Sequence, residues 1–242
     1  MADSSPRSAP PRAYAFYDIL LSASVAVLLC ANLIGPGKTV AIELPGLGRV
    51  SFGAGNVFFP LSYIFGDVFT EVYGYARARR AIWAGFSAMT FAALMSLTVI
   101  RLPPNPDEPY NRALQPAIEL VFGNTWRITL ASLTAYWAGD FANSFVMAKM
   151  KLLTRGRHLW TRTVGSTVVG QLVDSLIFYP MSFYGIWQGT TIAAIVLHNW
   201  LFKVFVEVAF TPVTYWVVRA LKRAEREDYF DTDTNFTPFA ID

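Results

Sequence analysis

One cysteine, Cys30, stands in 242 residues, so neither an internal disulfide nor a cysteine metal cluster is available. Histidine is almost as scarce. His158 and His198 lie on different segments without zinc-type spacing, and no metal or cofactor is expected. No G-x-x-x-x-G-K-[ST] run occurs, so the chain brings no P-loop ATPase of its own. Charged residues make up only 15%, against about 25% in a typical soluble domain. The net charge of +3 is too small and too local to argue for nucleic acid as a direct partner.

What is present is apolar. Hydrophobic residues make up 54% of the chain and come in long blocks, the mark of an integral membrane protein. The expected fold is all-α: six transmembrane helices in one bundle, with a short outer β-hairpin. Residues 1–13, rich in Ser, Pro and Arg, read as a disordered cytoplasmic tail. Residues 14–223 read as the transmembrane domain, and 224–242 as a flexible cytoplasmic tail.

The first segment, about 14–34, is too long an apolar run for a signal peptide and reads as an uncleaved helix. Between 35 and 55, KTVAIEL and RVSF alternate around the turn signal PGLG, which predicts the hairpin. The second segment starts near Gly53 and ends at Arg77, Arg79 and Arg80. The third, about 81–100, repeats Ala84, Ala88, Ala92 and Ser96 every four residues. That ladder suits close packing inside the bundle or a homodimer seam. A Pro-rich loop follows, with a short interfacial helix over Asn111–Phe122. Segments four to six are about 124–150, 163–184 and 192–218.

Lys and Arg set the orientation. With the N-terminus inside, one side collects 14 of them and the other 5: Lys38, Arg49, Arg101, Arg112 and Arg127. Both termini are therefore expected in the cytoplasm.

The informative feature is acid inside the spans. A carboxylate at the bilayer centre costs roughly 2.5–3.5 kcal/mol on insertion scales, and intramembrane ionisable groups are functional by default. On segment two, Asn56, Pro60, Tyr63, Asp67, Glu71 and Gly74 share one helical face. Pro60 cannot donate to the Asn56 carbonyl, which would leave that oxygen free. Segment four carries Asp140 and Asn143 with Tyr136, and segment five carries Gln171 and Asp174 with Phe178. On segment six, Lys203 and Glu207 stand at i, i+4 and predict an intramembrane ion pair. Glu71 is near enough to the basic end to reach Arg77–Arg80. Together these residues predict a hydrated, acceptor-rich pocket between helices. It suits a small molecule presenting paired N–H donors, such as a guanine-like edge. Tyr63, Phe178 or Trp137 would stack on its ring.

The runs FPLSYIFGDVFTEVYGYARARRAIWAGF, GDFANSFVMAKMK, RTVGSTVVGQLVDSLIFYP and KVFVEVAFTPVTYWVVRALKR occur in this order. They resemble the queuosine precursor transporter family, bacterial inner-membrane proteins also called the Vut family. The resemblance spans about residues 14–223. It implies uptake of 7-cyano-7-deazaguanine, and of its 7-aminomethyl relative, for tRNA modification. It also implies a six-helix fold similar to the substrate-binding components of energy-coupling-factor vitamin transporters. Asp67, Glu71, Asn143, Gln171, Asp174 and Glu207 carry over as candidate functional positions. Many relatives have Glu where this chain has Asp140, one methylene shorter.

Two other readings compete. A substrate-binding subunit served by separate ATPases fits the missing P-loop. An intramembrane aspartyl protease fits the two Gly-Asp pairs, Gly66-Asp67 and Gly139-Asp140. However, Ile64 stands where a G-x-G-D motif needs glycine, and no Pro-Ala-Leu segment follows. The expected protein is a transporter, not an enzyme.

Overall fold

The computed structural model describes residues 14–34, 39–44, 48–53, 58–123 and 126–240. Helix α1 runs over Tyr17–Ile34. Strands β1 (Thr39–Leu44) and β2 (Gly48–Gly53) pair antiparallel, with Thr39 opposite Gly53 and Leu44 opposite Gly48. Helix α2 (Phe59–Val68) continues into a π-helical turn over Phe69–Tyr73. Then follow α3 (Tyr75–Arg101), α4 (Pro109–Phe122), α5 (Trp126–Leu153), α6 (Leu159–Phe183) and α7 (Gly189–Glu225). Asn56 and the N-terminal tail of residues 1–13 lie outside the described residues.

Three helices, α1, α3 and α7, are long and apolar enough to cross a membrane. Helices α5 and α6 have 28 and 25 residues but carry the polar positions singled out above. The outer surfaces are apolar, as lipid contact requires. Phe91, Leu94 and Met95 of α3, and Phe205, Val208 and Trp216 of α7, are all exposed.

Two buried clusters hold one end together, the end that bears Arg77, Lys151 and Lys222. In the first, Tyr17, Phe69, Val72, Tyr73, Met147 and Val218 pack together. In the second, Tyr75, Ile82, Phe141 and Ala148 pack beside Trp83 and Trp137. Glu225, at the end of α7, accepts from the backbone N–H groups of Ala15 (3.0 Å) and Phe16 (2.8 Å) and from the Tyr73 hydroxyl (2.9 Å). It thereby joins the start of α1 to the end of α7.

Several expectations change. Pro60 was expected to free the Asn56 carbonyl, which lies outside the described residues. Pro60 itself sits in the first turn of α2, where its missing N–H leaves no intrahelical bond unmade. Segment two stops at Gly74, whose φ of +85° breaks the helix. A Cβ there would meet the Tyr229 ring at 2.3 Å, so glycine serves both the turn and the contact. Arg77, Arg79 and Arg80 consequently open α3 instead of closing segment two.

The C-terminal segment is not a free end. Asp231 accepts from the Tyr75 backbone N–H at 3.0 Å. Arg79 donates to the carbonyls of Asn235 (2.8 Å) and Thr237 (3.0 Å), and Trp83 donates to that of Pro238 (2.9 Å). Phe236 packs on Tyr75, with ring centroids 5.1 Å apart. Residues 226–240 form a strap across α3 and α5. Its backbone carbonyls accept from the side chains of Tyr75, Arg79, Trp83 and Lys151, and the Asp231 carboxylate takes the open N–H at the start of α3.

Candidate functional site

The site begins where α5 crosses α6. A Cβ on Gly170 would meet the Asn143 Cβ at 2.7 Å and the Gly139 carbonyl at 2.9 Å. A Cβ on Gly139 would meet the Asp174 Cβ at 2.9 Å. The two glycines let the backbones approach closely, as small residues do in membrane helices. The crossing places Asp140 and Asn143 of α5 beside Gln171 and Asp174 of α6.

These four line a cavity of about 970 Å³ that Tyr63 of α2 and Lys203 of α7 also face. Binding pockets for small molecules commonly measure about 300–1,000 Å³. Tyr136, Phe178 and Tyr179 supply aromatic walls, and α1 and α3 supply apolar ones through Leu28 and Met89. Lys203 Nζ donates to Asp174 Oδ2 at 2.6 Å. Asp140 is within electrostatic reach of both. The pair is not sealed: the Lys203 and Asp174 side chains keep 15% and 24% of their surface. This corrects the expected Lys203–Glu207 pair. Lys203 reaches across to α6 rather than along its own helix, and no ion pair joins it to Glu207 among the described residues.

Below the cavity, Asp67 and Glu207 are 1% and 2% exposed. Asp67 lies against Asn143 and Glu207. Asp67 Oδ2, Asn143 Oδ1 and Glu207 Oε1 are buried without a hydrogen-bond partner. Neither acid lines the cavity.

One turn further along, Glu71 is fully buried in an ion cluster. Arg162 donates to both of its oxygens, at 2.8 and 3.1 Å. Lys222 donates to Oε1 at 2.6 Å, and Lys151 lies 3.5 Å from the same oxygen. Lys151 and Lys222 each also hold Asp228 Oδ1 at 2.6 Å. Burial would raise the Asp228 carboxyl, but hydrogen bonds from the two lysines hold it below the usual carboxylate range. Glu71 is thus removed from the predicted pocket, and its cations are not Arg77–Arg80. Arg77 instead stacks over Tyr14, 4.3 Å from the ring centroid.

Of the candidate positions, the structure brings Tyr63, Asp140, Asn143, Gln171 and Asp174 to one cavity. It sets Asp67 and Glu207 behind it and Glu71 at the basic end. Trp137 is not a cavity wall. It packs among Trp83, Phe141 and Phe239. Arg162, Lys151 and Lys222 escaped the sequence reading as partners of Glu71. The only signal for them was a buried acid in need of cations.

The family described as "Putative vitamin uptake transporter" matches residues 53–217. A protein of Bacillus subtilis (strain 168) named "Probable queuosine precursor transporter" is 31% identical over 199 residues, 82% of each chain. This chain belongs to the Vut family. It is therefore a membrane transporter and not an enzyme. The two Gly-Asp pairs of this Vut protein lie in different surroundings: Asp67 is buried against Glu207 behind the cavity, whereas Asp140 lines it. No solved structure matches the chain.

Proposed function

We propose that this transporter imports queuosine precursors, 7-cyano-7-deazaguanine and its 7-aminomethyl relative, across the bacterial inner membrane for tRNA modification. The observation that carries the reading is the cavity at the α5–α6 crossing. Asp140, Asn143, Gln171 and Asp174 offer it carboxylate and amide groups, while Tyr136, Phe178 and Tyr179 offer ring faces. A deazaguanine needs both. Its ring N–H and exocyclic NH₂ pair with one carboxylate, and its face stacks on an aromatic side chain. Lys203 takes one acceptor site of Asp174 Oδ2, which leaves the second site of that oxygen and all of Oδ1 for the paired donors of the ligand. The name of the B. subtilis relative supports the same substrate class.

The proposed topology has six spans: α1, α2 with its π-helical turn, α3, α5, α6 and α7. The end bearing Arg77–Arg80, the Glu71 cluster and the C-terminal strap is cytoplasmic, because Lys and Arg concentrate there. The cavity, bordered by Asn32, Arg101 and Trp126 at the other end, then opens outward. The test is uptake of labelled 7-cyano-7-deazaguanine by bacterial cells unable to make it, with and without this chain. Uptake that appears only with the chain is expected. Equal uptake in both strains would refute the reading.

A further inference from the structure

The Asp67–Glu207 pair is not explained by substrate binding, since neither side chain reaches the cavity. It is equally unexplained as structure. Two carboxylates lie against one another, nearly all of each is buried, and each keeps an oxygen without a donor. Asn143, which lies against Asp67, keeps a third buried oxygen, Oδ1, without a partner. Three buried acceptors on α2, α5 and α7 without a donor constitute a debt of several hydrogen bonds.

The groups around them do not settle it. On α2 and its π-helical turn, Tyr63 and Glu71 are the titratable neighbours, and Glu71 is fully engaged by Arg162, Lys151 and Lys222. From α7 comes Glu207 itself, while Lys203 one turn away is bound to Asp174. From α5 comes Asn143, which is neutral. From α6 come Asp174, bound to that lysine, and Arg162, bound to Glu71. Helix α1 has one charged residue, Asp18, and its Tyr17 packs against Phe69 and Tyr73. A metal ion does not fit either. Hard cations take about six oxygen ligands or more, and no cluster of three metal-binding side chains exists among the described residues. A proton shared between two touching carboxyl groups lets one donate to the other and removes one of the two buried charges.

We infer that Asp67 and Glu207 hold one exchangeable proton between them, and that this proton is the coupling ion of transport. The coupling half of the inference rests on the substrate reading of the cavity. Position supports it. Tyr63, Asp67 and Glu71 follow at four-residue spacing along one helix, so the pair lies between the cavity and the ion cluster. Asn143 belongs to both layers: it lines the cavity and lies against Asp67. A ligand that engages Asn143 therefore changes what Asp67 touches. One proton enters from the cavity side with the substrate, and one leaves toward the Glu71 cluster.

Two measurements test this. Infrared spectroscopy of the purified chain in lipid should show a protonated carboxyl C=O band at neutral pH. The band should shift in D₂O and be lost in Asp67→Asn and in Glu207→Gln. Absence of that band in the unmodified chain overturns the proton site, whatever the substrate. In liposomes holding the purified chain, an interior one pH unit more alkaline should drive accumulation of labelled 7-cyano-7-deazaguanine up to about tenfold, the limit for one proton per molecule. Both variants should still bind the label and exchange it across the membrane, yet no longer accumulate it. Accumulation that ignores the pH gradient, follows a sodium gradient, or survives in both variants overturns the coupling. An unmodified chain that neither binds nor exchanges the label refutes the substrate reading and the coupling built on it. The infrared band then still decides the proton site.

Discussion

Lys203 shows how far single residues can be read from spacing. Its i, i+4 relation to Glu207 pointed along the helix, but its ammonium group bonds to Asp174, 29 residues away in sequence. Nothing in local periodicity encodes that choice. It depends on where α6 lies against α7, which is a tertiary fact. The acids themselves were legible, because carboxylates in apolar blocks stand out. Their division into cavity, buried pair and ion cluster was not. The Lys203–Asp174 pair predicts a specific pattern of rescue. Lys203→Met strands Asp174 without its cation and should lower the amount of folded protein. The cost should fall below the about 3–5 kcal/mol of breaking a fully buried pair, since both side chains keep some exposure. Adding Asp174→Asn to Lys203→Met should restore folded protein better than adding Glu207→Gln. Membrane protein levels by fluorescence of a fused reporter decide it. Equal or better rescue by Glu207→Gln would return the pairing to α7.

At the scale of elements, two junctions position the site. The first is the α5–α6 crossing. Gly170→Ala places a methyl group 2.7 Å from the Asn143 Cβ and should cost about 1–3 kcal/mol through overpacking. It should lower the thermal unfolding midpoint and weaken ligand binding together. Gly189→Ala, with nothing within 4 Å of the new Cβ, should change neither. The second junction is the strap. With Gly74 at the N-cap of α3, no side chain of the preceding turn caps the helix, and Asp231 does so from afar. Asp231→Ala should therefore destabilise by about 0.5–2 kcal/mol, as loss of a cap does. The exposed Asp233→Ala should be neutral; thermal melts of the two variants check this. The strap was misread as a flexible end because its composition is polar and acidic. Those polar groups are occupied by Tyr75, Arg79 and Lys151, partners more than 70 residues earlier in the chain.

At the scale of the whole molecule, the apolar blocks made the helical membrane class readable, and most helix limits fell within a few residues of the sequence reading. The break at Gly74 was missed because FTEVYGYARARR reads as one helical pattern until the Tyr229 ring is seen against that glycine. The proposed orientation has its own test. Cys30 is free and exposed, so a Cys30→Ala background is needed first. A membrane-impermeant thiol reagent added to intact cells should label a cysteine placed at the exposed Asn105 and spare one at the exposed Arg157. The reverse pattern would invert the topology.

In the proposed binding mode, the cavity at the α5–α6 crossing holds a deazaguanine through Asp174. Asparagine is nearly isosteric with aspartate, but it puts an N–H₂ donor in place of an acceptor and removes the charge. Losing one charge-assisted hydrogen bond costs about 1.5–3 kcal/mol, roughly ten- to hundredfold in affinity. The direct measurement is the equilibrium Kd of purified protein for 7-cyano-7-deazaguanine, unmodified against Asp174→Asn, each checked for an unchanged unfolding midpoint. A Kd raised ten- to hundredfold in a folded variant is expected. A folded Asp174→Asn with the unmodified Kd would remove Asp174 from the binding site.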